Sequence, residues 1–565
     1  MSAANIVVTQ GRLPALARSV VLHPWLLVLV LMSVLLAIPV ACILFSVFLD
    51  SGDIWAHLSS TVLATYIFNS LAIVAGVCVL TLVFGTVPAW LITMYEFPGR
   101  RQLAWALLLP MAMPAYIIAY TYTGMLDVAG PVQSHLRDMF DWRYGDYWFP
   151  EVRSMGGAIA MLSLVLYPYV YLLSRAAFLE QSLCVLEVSR SLGCGAYRSF
   201  FRVALPLARP AIIAGLSLVM METLADYGTV QYFGVATFTT GIFRTWFGLG
   251  SSVAAAQLAV VLLGFVTLLI LLEAWSRRQA KYHHTSGRYS SLVQKPLKGW
   301  RRYLVSAVCV FPMLFGFLLP AAQLAIWASQ TWSDVVDDDF FMLVLNSIEL
   351  AAIASGLALL LALFACYGKR IVPGKLTAGL LRVLSTGYAI PGTVIAVGVL
   401  IPFAWLDNTI DSWMRLYLDR STGLLLSGTV FALIFAYLVR FLPVSINTIE
   451  AGLSKIRPSM DEAGRSMGLR TRQLLTRIHM PMLRGTLATA LLMVFVDVLK
   501  ELPATLILRP FNFNTLAIRT YELANEERLA DAASPALAIV LVGIIPVIIL
   551  SRSIARSRPG NDKHT

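Results

Sequence analysis

Twelve stretches of largely apolar residues, each near the length of about 20 that a helix needs to cross a bilayer, constrain this chain more than any other feature. They run Trp25 to Phe48, Leu71 to Leu91, Ala104 to Leu126, Gly157 to Ala177, Ala211 to Tyr232 and Val253 to Ala274, then Leu304 to Ala328, Leu345 to Tyr367, Ala378 to Trp405, Gly423 to Leu442, Gly485 to Leu508 and Ala530 to Leu550. Lipid offers the backbone no hydrogen-bond partners, so self-satisfying helices are expected and open strands are excluded. With 58% hydrophobic and 13% charged residues, little is left for a soluble domain. The expectation is an all-α integral membrane protein of about twelve transmembrane helices.

A net charge of +12 would suit a nucleic-acid binder if it were gathered on one soluble face. Instead, most of the 43 Lys and Arg fall in alternate loops, while acids such as Asp138, Asp141, Asp146, Asp334, Asp337, Asp338 and Asp339 occupy the others. The positive-inside rule therefore places both termini and the basic loops in the cytoplasm. The partner read from charge is the lipid bilayer, and no nucleic acid is expected. The first stretch is longer than a signal-peptide core and lacks a small-residue cleavage pattern behind it, so it is expected to stay as an anchor. The six cysteines form no CxxC and the seven histidines are scattered, so no metal site is assigned.

The sequence is also duplicated. A gap-free shift of 275 residues places Glu187 on Glu462, Arg190 on Arg465, Ser191 on Ser466, Gly193 on Gly468, Arg202 on Arg477, Pro206 on Pro481 and Arg209 on Arg484, and the register persists at Phe238 with Phe513 and Arg244 with Arg519. Shared apolar composition does not produce identities at charged, Gly and Pro positions. The chain therefore divides into a first six-span repeat (1–274), a basic cytoplasmic linker (275–302) and a second six-span repeat (303–565). Six spans return the chain to its starting side, so the repeats are expected to run parallel.

Identity is densest in a cytoplasmic loop, where related segments normally drift. The first copy reads Glu187-Val188-Ser189-Arg190-Ser191-Leu192-Gly193 and, six residues on, Phe200-Phe201-Arg202-Val203-Ala204-Leu205-Pro206. The second reads Glu462-Ala463-Gly464-Arg465-Ser466-Met467-Gly468, then Leu474-Leu475-Thr476-Arg477-Ile478-His479-Met480-Pro481. This predicts a short helix, a glycine in the left-handed turn that ends it, a second amphipathic helix, and a proline that stops it before the next span. The pattern resembles the EAA loop of ABC importer permeases, although the first copy has Val188 and Ser189 where that family usually has two alanines. The resemblance implies the type I ABC importer permease fold in a bacterial inner membrane, with a rigid coupling helix in each half. It also implies two copies of a separate ABC ATPase subunit docked on those helices, and a periplasmic substrate-binding protein. It assigns Glu187, Arg190, Ser191, Gly193, Arg202 and Pro206, with Glu462, Ala463, Arg465, Ser466, Gly468, Arg477 and Pro481, to ATPase coupling. No G-x-x-x-x-G-K-[ST] phosphate loop occurs, since Gly368-Lys369 is followed by Arg370 and Gly374-Lys375 by Leu376. The chain is thus expected to be no enzyme and to bind no cofactor, with ATP and Mg on the partner subunits.

The span after each loop carries two carboxylates four residues apart and so on one helix face, Glu222 with Asp226 and Asp497 with Glu501. Each charge inside a membrane costs roughly 2.5–3.5 kcal/mol on insertion scales, so these acids need a purpose or a partner. Two readings stand side by side. Either they line a cation path together with Tyr227, or Lys500, Arg440, Arg244 and Arg519 neutralise them in fixed ion pairs. Gly228 and Pro503 follow the acids in matching places, where they break or end the helices. Pro110, Pro114 and Pro391 predict further irregularities. In a fused two-half chain, the segments Glu222-Thr223-Leu224-Ala225-Asp226-Tyr227-Gly228 and Asp497-Val498-Leu499-Lys500-Glu501-Leu502-Pro503 look like those of the ferric iron permeases, which implies Fe(III) as substrate. A hard trivalent ion suits carboxylate and phenolate oxygen. Permeases for thiamine, polyamines or phosphonates share the architecture, and a twelve-span secondary transporter is the alternative of a different class.

Overall fold

The computed structural model describes residues 24–180, 196–278 and 294–556, and within these the chain is almost wholly helical. Each half is built on a trio of packed helices. These are Leu63–Met94, Met155–Glu180 and Leu205–Ala225 in the first half, and Asp338–Ile371, Val430–Ser454 and Met480–Leu499 in the second. Lipid tails are as apolar as leucine, so cohesion between such helices rests on close approach of small residues. Gly85 and Gly215 supply it in the first trio: a Cβ added at either would come within 2.7 or 2.9 Å of Val170. In the second, Ala351, Ala354, Ala358, Ala362 and Ala365 recur at helical spacing as a buried stripe on Asp338–Ile371.

The halves also exchange helices. Pro24–Phe45 packs mainly on Lys375–Leu384 and Gly392–Leu418, and a Cβ on Gly398 would meet the Pro39 carbonyl oxygen at 2.5 Å. Reciprocally, Leu319–Val335 packs on Ala115–Leu126, with Gly124 beneath the Trp327 ring. The Tyr122 hydroxyl donates to the Phe315 carbonyl (2.6 Å) and that of Tyr120 to the Ala532 carbonyl (3.3 Å), so both tyrosines tie the halves together.

Among the described residues ten helices are long and apolar enough to cross a membrane, or eleven if Arg100–Ala112 and Ala115–Phe140, bent by 92°, are one span. The expected all-α membrane architecture is present, with ten or eleven candidate spans among the described residues beside the about twelve expected, but not every span is one continuous helix. Every expected stretch is largely helical, but four are interrupted: before Ala115, at Asp226 and Tyr227, between Leu384 and Gly392, and between Leu499 and Pro503. Apolar composition reports residence away from water, not continuity of one helix. Pro114 and Pro391 stand at two of these breaks, each immediately before the first residue of the resumed helix.

The expectation that Pro206 and Pro481 stop a helix does not hold either. Each lies in the first turn of the following helix, Leu205–Ala225 or Met480–Leu499, and the helix runs on into it. The turn before each proline is a wide π turn, Phe200–Ala204 or Leu475–His479, which shifts the hydrogen bonding and absorbs the missing N–H. Leu314–Leu318 repeats the device before Pro320. Gly468 does occupy the left-handed turn, with φ +81°, after the helix Pro458–Ser466. Glu187, Arg190, Ser191 and Gly193 lie outside the described residues.

Candidate translocation cavity and coupling surface

The two interrupted helices that carry the acids meet at a cavity of about 120 Å³. Leu205–Ala225 ends before Asp226 and resumes as Gly228–Tyr232, and Met480–Leu499 ends before Glu501 and resumes as Pro503–Leu508. Local sequence explains both breaks. A Cβ on Gly228 would fall 2.7 Å from Tyr116 and 2.9 Å from Leu502, so only glycine lets the halves close here, while Pro503 has no N–H with which to continue a helix. The acids then serve the new helix starts. Asp226 accepts the Val230 N–H (3.1 Å) and the Thr229 hydroxyl (2.9 Å), and Glu501 accepts the Ala504 N–H (3.2 Å).

Glu222, Asp226, Tyr227, Asp497 and Glu501, all singled out from sequence, line this one cavity. Arg440 and Lys500, named beforehand as neutralising partners, line it too. Lys500 bridges Asp497 at 2.8 Å and Arg440 bridges Glu501 at 3.3 Å. Gly392 makes room for the latter pair, since its Cβ would stand 2.2 Å from Arg440 Nη1 and 2.5 Å from Glu501 Oε1. Fixed ion pairs thus account for the second-half acids. They do not account for Glu222 and Asp226, which form no ion pair among the described residues, and neither Arg244 nor Arg519 bridges any of the four acids there. Glu222 instead accepts the Tyr388 hydroxyl at 2.9 Å.

Sequence reasoning missed Tyr116, Tyr169 and Tyr388, three phenols that complete the lining. Nothing in their neighbourhoods distinguishes them from packing tyrosines, and only the tertiary fold brings them to the acids. Tyr116 Oη and Arg440 Nε are buried without a hydrogen-bond partner among the described residues. The cavity is far larger than the about 10–15 Å³ that one water needs, so these atoms are left to interact with its contents. Four carboxylates face two cations, with phenol oxygens between them, yet no three His, Cys, Asp or Glu side chains among the described residues converge as a metal cage.

The second loop is a compact knob. Glu462, Ala463, Arg465, Ser466, Gly468, Arg477 and Pro481 are all exposed, as are Arg202 and Pro206 in the first half. Inside the knob a Cβ on Gly464 would lie 2.4 Å from Leu474 Cδ2, so its two helices are in direct contact there. Met460 and Met467 stand out from it, 42% and 73% exposed, and give the charged tip an apolar element.

Residues 81–281 and 354–560 each match the family of binding-protein-dependent transport system inner membrane components, together well over half of the chain. The chain belongs to this family. It is a fused two-half ABC permease, a multi-pass inner-membrane transport protein and not itself an ATPase. The permease is 24% identical over 533 residues to the Fe(3+)-transport system permease protein FbpB 2 of Haemophilus influenzae, covering 93% of this chain and 98% of that one. It is likewise 24% identical over 472 residues to the ferric transport system permease protein FbpB of Actinobacillus pleuropneumoniae, covering 78% of this chain and 64% of that protein. The molybdenum transport system permease protein ModB of Escherichia coli is 25% identical over 204 residues, 35% of this chain and 86% of its own. The fused permease thus resembles the two ferric permeases along 93% and 78% of its length and the molybdenum permease along about a third.

Proposed function

We propose that this permease forms the passage for iron(III) delivered by a periplasmic binding protein, with movement driven by two ATPase subunits. The ATPases dock at the loops around Glu187 to Pro206 and Glu462 to Pro481, and both termini lie in the cytoplasm. The observation that carries the substrate reading is the cavity's charge arrangement: both cations are held by second-half acids, which leaves Glu222 and Asp226 facing the space unpaired. An oxyanion would meet two cations whose charge Asp497 and Glu501 already balance, whereas a cation meets two carboxylates without an ion-pair partner, and phenols beside them. Full-length similarity to ferric permeases supports the same choice. With no cage of three His, Cys, Asp or Glu ligands among the described residues, the ion is released readily, as a passage requires.

Uptake of radiolabelled iron in a strain deprived of its own importer tests this. Asp226→Asn and Glu222→Gln, singly and together, are expected to lower uptake, with the double variant losing at least about tenfold, equivalent to roughly 1.4 kcal/mol on the transport barrier. Undiminished uptake in the double variant removes the cation path. Competition by molybdate or thiamine in place of iron overturns the substrate.

A further inference from the structure

We propose that Asp461 is a positioning residue that locks the second coupling loop to two membrane helices through side chains that the first-half sequence does not repeat. The inference rests on the permease reading and adds an asymmetry to it. Asp461 sits in the first turn of Pro458–Ser466, and its carboxylate receives Arg370 twice, from Nε at 2.7 Å and from Nη2 at 2.9 Å. A bidentate guanidinium–carboxylate pair fixes orientation as well as distance. The same carboxylate contacts His479 Nε2 at 2.8 Å. An ionised carboxylate only accepts, so Nε2 carries the hydrogen in this contact. His479 is fully buried, and Arg370 and Asp461 are 17% and 15% exposed.

Three structural elements converge on this point. Arg370 ends Asp338–Ile371, and its remaining N–H groups donate to the carbonyls of Leu453 (3.0 Å) and Ile456 (3.2 Å) at the end of Val430–Ser454. His479 closes the π turn that leads into Met480–Leu499, the helix that ends at the cavity beside Asp497 and Glu501. Tyr367, one turn before Arg370, donates to the Thr471 carbonyl at 3.1 Å and so holds the other side of the knob. A displacement of Pro458–Ser466 is therefore carried through Asp461 into both Asp338–Ile371 and Met480–Leu499. Under the 275-residue shift the corresponding first-half residues are Tyr95, Leu186 and Ala204, a set with neither carboxylate nor imidazole. The first loop thus lacks in its sequence the three side chains that make this joint.

Two measurements decide it. Hydrogen exchange on the detergent-solubilised chain alone is expected to accelerate at least about tenfold across 458–474 in Asp461→Asn, with no change at the first loop. His479→Gln, which keeps a donor near the Nε2 position, is expected to behave as wild type, and His479→Leu to behave as Asp461→Asn. In the reconstituted transporter, Asp461→Asn is expected to retain its ATPase subunits while iron delivered per ATP hydrolysed falls several-fold. Unchanged exchange in Asp461→Asn and His479→Leu overturns the lock, and so does faster exchange with unaltered transport per ATP. If the wild-type chain captures no ATPase subunit, the permease reading fails instead, and the exchange experiment still decides whether the lock exists.

Discussion

The two halves share a backbone device and differ in what surrounds it. Both break a helix just after a pair of acids, and both use the later acid to cap the short helix that follows. The second half then neutralises its acids with Lys500 and Arg440, whereas the first leaves Glu222 with a phenol and Asp226 with capping donors alone. The same contrast recurs at the loops, where the second half has Arg370, Asp461 and His479 and the corresponding first-half residues are Tyr95, Leu186 and Ala204. Duplication therefore kept the helix break, while the side chains around it diverged. Among the described residues, one half balances the charge of its acids and the other leaves its acids without a cation.

The sharpest break of this comparison comes from Arg440→Met. It strands Glu501 as a buried, unpaired charge, a change that typically costs about 3–5 kcal/mol. Thermal unfolding in detergent is expected to show it, with Arg440→Met/Glu501→Gln recovering most of the loss. Glu222→Gln, which removes a first-half acid with no cation to strand, is expected to leave the transition almost unmoved. Equal losses in the two halves would erase the asymmetry. A smaller effect belongs to the knob: Gly464→Val forces branched bulk against Leu474, and overpacking of this kind costs about 1–3 kcal/mol. Gly468→Ala leaves the surrounding space open but puts a side chain at φ +81°, for about 1–2 kcal/mol of backbone strain. Reduced co-purification of an ATPase subunit with either variant is the expected readout, larger for Gly464→Val.

Much of this was legible in the sequence because the signals were local. Twelve apolar stretches gave the helices, and the 275-residue shift gave the two halves. The positions of Gly228 and Pro503 marked where the acid-bearing helices break. Arg440 was legible for an energetic reason, since a lone cation in an apolar span has to find an acid. Its choice of Glu501 was not, because that depends on which helices become neighbours. Tyr116, Tyr169 and Tyr388 of the cavity and the Arg370–Asp461 contact, 91 residues apart, were invisible for the same reason. The prolines misled in a different way. Proline forbids one hydrogen bond, and a single wide turn upstream is enough to let the helix continue.

The smallest expected effect is a pH response confined to one loop. Burial alone would raise the Asp461 carboxyl, but hydrogen bonds and charge from Arg370 and His479 outweigh it and hold the group below its ordinary value. A carboxyl with a lowered folded-state pKa stabilises fully above its unfolded value, near about 3.9, and loses that contribution as pH falls through the lowered value. The second loop is therefore expected to stay locked from neutral pH down to about pH 5 and to loosen only in stronger acid. Leu186, at the corresponding first-half position, has no proton to gain, so the first loop should lack this component of the acid response. Limited proteolysis of the two loops between neutral pH and about pH 3 reads the difference directly. Loosening of the second loop already near pH 6, or parallel loosening of both, would show that something other than this carboxylate holds the knob in place.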